Sequence, residues 1–217
     1  MRAIVNVATG PAFIAGQDRL IKALDQIGNK ERLIMWRDEL PAGSPSHAQV
    51  PYGFKIAALR EAIARGADTL LWLDSSIIPL RSLEPLWKRI EEQHYWFSRN
   101  YDLRTNAFCS DKAAELMCIS RCELVRIPHL VAGAFGLQMI KLGFGQMFLA
   151  RWTQHMNFGV FANGGSGDPE FIAHRHDQTS ASVIAWRLGL KCTLPPKWFA
   201  EGGQETEETL LAAHRIR

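Results

Sequence analysis

The organisation of this chain is decided by the stretch TLLWLDSSIIPL, residues 69–80. Its first five residues are apolar or prone to β structure, a pattern typical of a short strand that is buried on both faces. Asp74, Ser75 and Ser76 follow at once, so the predicted strand ends in a carboxylate and two hydroxyls. Open α/β sheets bind their ligands at this edge. The stretch therefore predicts a ligand site, although Asp74 could instead cap a turn with its side chain.

The segments around this strand alternate between strand and helix patterns. In the amino-terminal half, the prediction is strands at residues 3–8, 32–36, 69–74 and 95–98, with helices at 17–27, 54–65 and 83–93. In the carboxyl-terminal half, it is helices at 111–125, 144–156 and from 178, with strands at 128–139 and 190–194. Such alternation favours parallel strands with right-handed crossovers. We therefore expect an α/β domain with a mostly parallel central sheet flanked by helices; the pattern does not place the tail after residue 202.

Composition narrows the class of protein. The chain has 217 residues, of which 47% are hydrophobic and 22% charged, as in an ordinary globular domain. The net charge of +3 is small and the basic residues form no run, so a nucleic-acid partner is not indicated. The four cysteines form neither a CxxC pair nor a dense disulfide framework, which predicts reduced thiols in a cytoplasmic protein. No stretch has the character of a signal peptide or a transmembrane segment.

Five stretches, in this order, resemble those of the GT-A-type glycosyltransferases, which use nucleotide-activated sugars. They are Ala8-Thr9-Gly10, Phe54-Lys55, Asp74-Ser75-Ser76, Gly133-Ala134-Phe135-Gly136 and His176-Asp177-Gln178. The resemblance covers about residues 3–198 and rests on the order and spacing of the motifs, because none of them is specific alone. It implies a single GT-A-like (Rossmann-like) domain over residues 1–198, followed by a tail over residues 199–217.

The resemblance also implies a function and a set of site residues. In that family the first turn and the following helix hold the nucleotide, and the acidic strand end holds a divalent metal and the diphosphate. The late Asp-Gln segment faces the sugar and the acceptor. The expected reaction moves a sugar from a UDP- or GDP-sugar to an acceptor hydroxyl. The residues assigned to the nucleotide sugar are Ala8, Thr9, Gly10, Lys55, Asp74, Ser75, Ser76, Gly133, Arg175, Gln178 and, past the last predicted strand, Lys197.

The acidic motif departs from the family at its third position. The usual metal motif is Asp-any-Asp, whereas Ser76 stands here in place of the second aspartate. A serine hydroxyl is a weak ligand for Mg²⁺ or Mn²⁺ compared with a carboxylate. Three arrangements stay open. A divalent metal is held by Asp74 and Ser76 with a histidine such as His176; a metal is held mainly by the diphosphate; or basic side chains such as Lys55 and Arg175 replace it.

The cluster His174-Arg175-His176-Asp177-Gln178 carries the richest chemistry in the chain. Asp177 is the candidate general base that would take the proton from the acceptor hydroxyl in an inverting transfer. The same residue is suited to cap a helix that begins at Gln178. The glycine-rich loop at residues 163–168, ahead of the cluster, is either a lid over the bound donor or a plain surface loop.

Two classes of function follow from these observations. The first is a glycosyltransferase that holds the diphosphate near Asp74, with or without a divalent metal. The second is a non-catalytic nucleotide-sugar or glycan binding module on the same scaffold, which the missing second aspartate favours. A nucleotidyltransferase ranks last, because no Gly-rich arginine-lysine signature lies near the amino terminus. The acceptor stays open among saccharides, lipid-linked sugars, proteins and modified nucleic acids.

Overall fold

A computed structural model describes residues 1–140, 143–191, 198–201 and 203–214 of the chain. The first half contains β1 (Arg2–Ala8), α1 (Pro11–Gln26), β2 (Arg32–Arg37), α2 (Phe54–Ala64), β3 (Thr69–Leu73), β4 (Ile77–Pro79), α3 (Glu84–Gln93) and β5 (Tyr95–Arg104). After a 3₁₀ turn (Thr105–Phe108), the second half contains α4 (Asp111–Leu116), α5 (Arg121–Leu124), β6 (Pro128–Gln138), α6 (Phe144–Asn157), α7 (His176–Arg187), β7 (Phe199–Glu201) and β8 (Leu211–Ala213). The α/β class predicted from the sequence is confirmed.

The central sheet has five strands in the order β2-β1-β3-β6-β5. The strands β2, β1 and β3 are parallel, as the alternating pattern predicts. The strand β6 is antiparallel to both β3 and β5, so the sheet is mixed and its parallel part is limited to three strands. The apolar pattern of β6 carries no information on strand direction, which is why the sequence did not reveal the reversal. Because of it, Gly133 in β6 lies beside the carboxyl end of β3, where its carbonyl accepts a 2.7 Å hydrogen bond from the Asp74 amide.

The strand β3 is buried on both faces, as its unbroken apolar run predicts. Leu70 and Trp72 face a core cluster that includes residues of α2, α6 and α7. Leu71 and Leu73 face a second cluster, which includes residues of α1 and α3. Burial of each large apolar side chain stabilises the fold by about 1.5–3 kcal/mol. The strand that carries Asp74 is therefore held rigidly from both sides.

The tail contributes to a second, smaller sheet of three strands in the order β4-β8-β7. The strand β8 is antiparallel to β4 and parallel to β7. The link to the central sheet is direct, because β4 begins three residues after Asp74 and the amide of His214 donates to the carbonyl of Ser76 at 2.8 Å. Residues of the tail are thereby brought to the edge of the sheet where the acidic motif lies.

Three element boundaries differ from the predictions. The helix α1 begins at Pro11, not at residue 17, because proline fits the first turn of a helix without losing a needed hydrogen bond. The predicted helix at residues 111–125 is broken in two: Cys118 has a φ of 49°, and Ser120 caps α5 through a capping box with Glu123. The helix α7 begins at His176. Of the predicted last strand at residues 190–194, Leu190 and Lys191 are not in a strand, and residues 192–194 lie outside the described residues.

Among the described residues, no helix combines the length and the apolar character that a membrane-spanning helix needs.

Candidate functional site

Asp74 lies on the floor of a cleft at the carboxyl edge of the central sheet. The inner part of the cleft has a volume of about 420 Å³ and is lined by residues from α2, β6, the start of α7 and β7. The outer part has a volume of about 1490 Å³ and reaches the first turns of α1. The residues that line both parts are Tyr52, Asp74, Ser76, Arg175, Glu201 and Ala213.

Lys55, in the first turn of α2, is buried beneath this cleft and binds two carboxylates. Its Nζ atom is 2.9 Å from Oδ2 of Asp177 and 3.3 Å from Oδ1 of Asp74. It also donates a 2.9 Å hydrogen bond to the carbonyl of Ala132. Burial alone would lower the pKa of Lys55, but the two carboxylates outweigh it and raise the pKa, so the ammonium stays charged. With these three contacts and a side chain only 2% exposed, the Lys55 ammonium holds the two aspartates in place and presents little surface to the cleft.

The carboxylate of Asp74 is fixed in position but open to the cleft. The indole Nε1 of Trp72 donates a 2.6 Å hydrogen bond to its Oδ1 atom, and Lys55 lies on its inner side. Gly133 leaves room for the carboxylate, since a Cβ atom at that position would lie 3.2 Å from Oδ2 of Asp74. The Asp74 side chain remains 31% exposed. A fixed, ionised carboxylate at this place can accept hydrogen bonds from the hydroxyl groups of a ligand.

Asp177 is almost inaccessible at the second position of α7. Its side chain is 5% exposed, and its backbone carbonyl accepts a 3.0 Å hydrogen bond from Nε1 of Trp152. Burial raises the pKa of Asp177, and the ion pair with Lys55 offsets only part of this effect. The alternative role as the helix cap is wrong, because Arg175 occupies the cap position and makes no side-chain capping bond.

Arg175 provides an exposed cation at the junction of the two parts of the cleft. Its guanidinium lies 5.7 Å from the centre of the Phe108 ring, and its backbone amide donates to the Phe108 carbonyl at 3.1 Å. The Phe108 ring in turn stacks on His129, with the ring centres 4.5 Å apart. A planar guanidinium supported from below in this way suits a phosphate group that enters from the cleft.

The two histidines of the cluster have different surroundings. Nδ1 of His174 accepts from the amide of Ser110 at 3.3 Å, so its Nε2–H donates to the carbonyl of Val160 at 2.8 Å. Both nitrogens of His174 are therefore used within the fold. His176 uses only Nδ1–H, which donates to the carbonyl of Phe161 at 2.9 Å. Burial lowers the pKa of both rings, which leaves them neutral near pH 7.

Some of the predicted site residues do not face the cleft. Ser75 lies in the turn between β3 and β4 and is buried against β1 and α1, where the side-chain amide of Asn6 donates to its hydroxyl at 3.3 Å. Ala8 is fully buried, and the amide of Gly10 donates to Asp38 at 3.2 Å. The outer cleft is lined instead by nearby residues: Val7, Ala12, Phe13, Ala15 and Arg19. Thr9 is exposed beside them but is not part of the lining.

Other predicted residues do line the cleft. Ser76, Gly133, His176 and Gln178 are part of its inner wall. The amide of Gln178 donates to the carbonyl of Leu130, which joins the start of α7 to β6. Lys197 lies outside the described residues, so its predicted contact with the diphosphate remains a prediction.

Three residues of the site were not predicted from the sequence. Trp72 had a usable signal, because it lies two positions before Asp74 and therefore on the same side of β3. Tyr52 lies in the left-handed region with a φ of 62°, its ring 5.2 Å from Nζ of Lys55; its position between Pro51 and Gly53 indicates only a turn. Glu201 comes from the unplaced tail, for which the sequence offered no signal.

The glycine-rich loop is tied down at several points. Nη2 of Arg121 donates to Ser166 Oγ at 2.6 Å and contacts the carboxylate of Asp111. The amide of Gly167 donates to the same carboxylate at 2.8 Å, and Gly165 accepts from the Asp111 amide at 3.0 Å. Of the two alternatives for this loop, the structure therefore supports a fixed surface loop and gives no support to a lid.

The side chains of the cleft do not form a complete site for a divalent metal. Asp74 lies where the resemblance places the metal, but the Lys55 ammonium already neutralises it from 3.3 Å. The nearby Asp177 contacts the same ammonium. Within the described residues, no three His, Cys, Asp or Glu side chains converge as metal ligands. The expected ligand set of Asp74, Ser76 and His176 therefore does not fit a resident metal ion, because a buried cation stands beside its only carboxylate.

Comparison with known proteins does not provide a family for this chain. The sequence matches no protein-family model and no curated protein sequence. The function is therefore inferred from the geometry of the cleft.

His129, which stacks on the Phe108 ring beneath Arg175, should make the protein less stable in mild acid. His129 is 1% exposed, both of its ring nitrogens lack a partner among the described residues, and burial lowers its pKa from 6.5 to about 3. Below pH 6.5, His129 therefore binds a proton in the unfolded chain but stays neutral in the folded protein until the pH falls towards 3. The stability that His129 contributes is complete above this pH and is lost as the pH falls towards 3. We expect His129→Leu to reduce the pH dependence of the unfolding free energy by up to about 1.4 kcal/mol per pH unit.

Urea unfolding of wild type and His129→Leu at several pH values between 4 and 7 checks this expectation. The other histidines with lowered pKa values, His155, His174 and His176, remain in both proteins and cancel in the comparison. Parallel stability curves for the two proteins would show that His129 takes up a proton as readily when folded as when unfolded.

Proposed function

We propose that this chain is a glycosyltransferase with a GT-A-like domain, moving a sugar from a nucleotide-diphosphate donor to an acceptor hydroxyl. One observation carries the proposal: a single cleft joins the start of α1, the Asp74 carboxylate and the start of α7. These three elements come from distant parts of the sequence. Asp74 and the start of α7 belong to motifs on which the resemblance rests, and α1 begins directly after a third, Ala8-Thr9-Gly10. Their convergence in one cleft favours a ligand site over an ordinary surface groove.

The cleft offers separate places for the parts of the donor. The outer part, bordered by the first turn of α1, suits the nucleotide, because the amino end of a helix favours anions. Arg175, at the junction, suits the diphosphate and can stabilise the negative charge that grows on it as the sugar leaves. Asp74 suits the hydroxyl groups of the sugar. The inner part, between β6 and the start of α7, is left for the acceptor.

The arrangement of charges supports a transfer in which basic side chains replace the metal. Two carboxylates share one buried ammonium, and Arg175 supplies the exposed positive charge. This corresponds to the third of the alternatives left open by the sequence. We further propose a reducing, cytoplasmic setting, because Cys109, Cys118 and Cys122 are free thiols and Cys109 is buried.

Incubation with single donors tests the proposal. UDP-glucose, UDP-N-acetylglucosamine, UDP-galactose and GDP-mannose are offered with a mixture of simple saccharide acceptors, in excess EDTA or in Mn²⁺. We expect release of the nucleoside diphosphate from one donor class, and we expect the release to persist in EDTA. Arg175→Gln should raise the KM for that donor, whereas Arg37→Gln, which removes the surface pair with Asp18 and a hydrogen bond to Gln17, should not.

Calorimetry with the same donors distinguishes the alternative function. Tight binding of a donor without release of its diphosphate would identify the binding module that the missing second aspartate suggests. Neither binding nor release with any donor would contradict both functions. Release that is abolished by EDTA and restored by Mn²⁺ would show that the cleft acquires its metal with the donor.

A further inference from the structure

The proposed transfer needs a group that takes the proton of the acceptor hydroxyl, and the structure offers two neighbours for this task. Asp177 is the base expected from the sequence, and His176 precedes it at the start of α7. Both line the inner part of the cleft. The following inference rests on the proposed function, since it assigns a role within that reaction.

Asp177 is poorly placed to receive a proton. Its side chain is 5% exposed, and its Oδ2 atom lies 2.9 Å from the Lys55 ammonium. A general base must come within hydrogen-bond reach of the hydroxyl that it deprotonates. An acceptor hydroxyl would have to displace the Lys55 contact to meet Asp177, at the cost of separating a buried ion pair.

His176 has the geometry that Asp177 lacks. Its Nδ1–H is held by the carbonyl of Phe161 at 2.9 Å, which fixes the tautomer and leaves the lone pair on Nε2. No partner for Nε2 is found in the described part of the chain. The ring is half-buried in the inner cleft, 5.8 Å from the Tyr52 ring, where an acceptor can reach it. The Phe161 carbonyl thus orients the His176 ring, as a second group commonly orients a catalytic base.

The backbone at His176 indicates that this orientation is imposed by the fold. Its φ is 34°, in a region that residues with a side chain rarely adopt. Tyr52, whose ring also lines the inner cleft, has a positive φ of 62°. Strain of this kind persists where the surrounding structure over-determines it, and it gathers at functional sites.

The charged groups around His176 suit a base that works near neutral pH. Burial lowers its pKa, and His47 and Arg175 act in the same direction, so the ring is neutral and ready to accept a proton. The Phe161 carbonyl and the Asp177 carboxylate act in the opposite direction, because both stabilise the imidazolium. Asp177 thereby assists the reaction without receiving the proton.

We propose that His176 is the general base of the transfer, with Nε2 as the atom that accepts the proton. The acceptor oxygen forms a bond to the anomeric carbon while the bond from that carbon to the diphosphate oxygen breaks. The electron pair leaves with the nucleoside diphosphate. The hydroxyl proton moves to Nε2, and the resulting imidazolium later returns it to solvent. His176 thus changes from a candidate metal ligand to a catalytic residue.

The variant His176→Asn separates the base from its structural role. Asparagine tolerates a positive φ and its amide can still donate to the Phe161 carbonyl, but it has no basic nitrogen. With a donor that the wild type turns over, we expect kcat to fall by about 100-fold or more and KM to change little. The acid limb of the wild-type pH profile should disappear in the variant. His94→Asn, which changes another histidine with a positive φ, outside the lining of both parts of the cleft, should leave kcat unchanged.

Chemical modification provides a readout that needs no turnover. Diethyl pyrocarbonate reacts with neutral, accessible imidazole nitrogens, so at pH 7 it should modify His176 and spare His174, whose two nitrogens are engaged. Peptide mass spectrometry identifies the modified residues. If His176 stays unmodified, or if His176→Asn keeps the wild-type kcat and pH profile, the inference is overturned. Absence of turnover by the wild type with every donor would overturn the proposed function instead.

Discussion

Lys55→Met is expected to destabilise the protein by about 3–5 kcal/mol, the largest effect on stability that the site predicts. Methionine has a similar length and fills the same space, but it removes the charge that compensates Asp177 and Asp74. Asp177, with a side chain 5% exposed, would be left as an uncompensated buried carboxylate. The urea midpoint of unfolding, compared at pH 7, measures the loss.

The pH dependence of this variant identifies the cause. Without Lys55, burial and the nearby Asp74 carboxylate raise the pKa of Asp177 further above the value in the unfolded chain. The loss of stability relative to wild type should therefore be smallest in mild acid, where Asp177 is protonated, and grow as the pH rises through the folded pKa of Asp177. Lys55→Met combined with Asp177→Asn should recover much of the loss, because both charges are then absent.

Lys112→Met is the matched control for this substitution. Lys112 is 64% exposed and pairs with Glu115 on the surface of α4, so its replacement should change stability by less than about 0.5 kcal/mol. An unchanged midpoint for Lys55→Met would mean that the buried ammonium does not compensate the aspartates.

Asp74→Asn is expected to reduce kcat/KM by roughly 100-fold or more, the largest effect on activity outside the proposed base. Asparagine keeps an oxygen for the indole of Trp72, and Lys55 keeps its contact with Asp177, so the fold should be retained. What is lost is the ionised acceptor, whose hydrogen bonds to sugar hydroxyls are each worth about 1.5–3 kcal/mol. Initial rates of diphosphate release across donor concentrations measure the effect.

Asp18→Asn controls for the removal of an acidic residue as such. Asp18 lies on α1 and pairs with Arg37 at the surface, away from the cleft lining. Its replacement should leave both activity and unfolding unchanged. If Asp74→Asn retains wild-type kcat/KM while remaining folded, then Asp74 does not contact the donor and the proposed site is misplaced.

The sequence predicted the parts of the site better than their contacts. The apolar run before Asp74 indicates a buried strand, because few other structures hide five such residues in a row, and this was confirmed. The cluster at residues 174–178 likewise lies in the cleft. The sequence could not show that Lys55 and Asp177 meet. Their contact depends on how α2 and α7 pack on the same face of the sheet, which local patterns do not encode.

Two further features illustrate the same limit. The turn after β3 buries Ser75 beside Asn6 and leaves Asp74 in the cleft, so treating the two as one motif overstated the number of ligand-binding residues. Phe199, Glu201 and Ala213 line the cleft from strands of three residues each, which are too short to show a periodicity. β8 forms by pairing with β4, and β7 in turn pairs with β8.

The small sheet has a consequence for the motion of the protein. It consists of three strands of three residues, joined across a long separation in sequence, whereas the floor of the cleft belongs to five strands packed on both faces. Hydrogen bonds in so small a sheet open at a lower free-energy cost than those of the large one. The side of the cleft formed by the tail can therefore separate transiently while Asp74 and Lys55 stay in place.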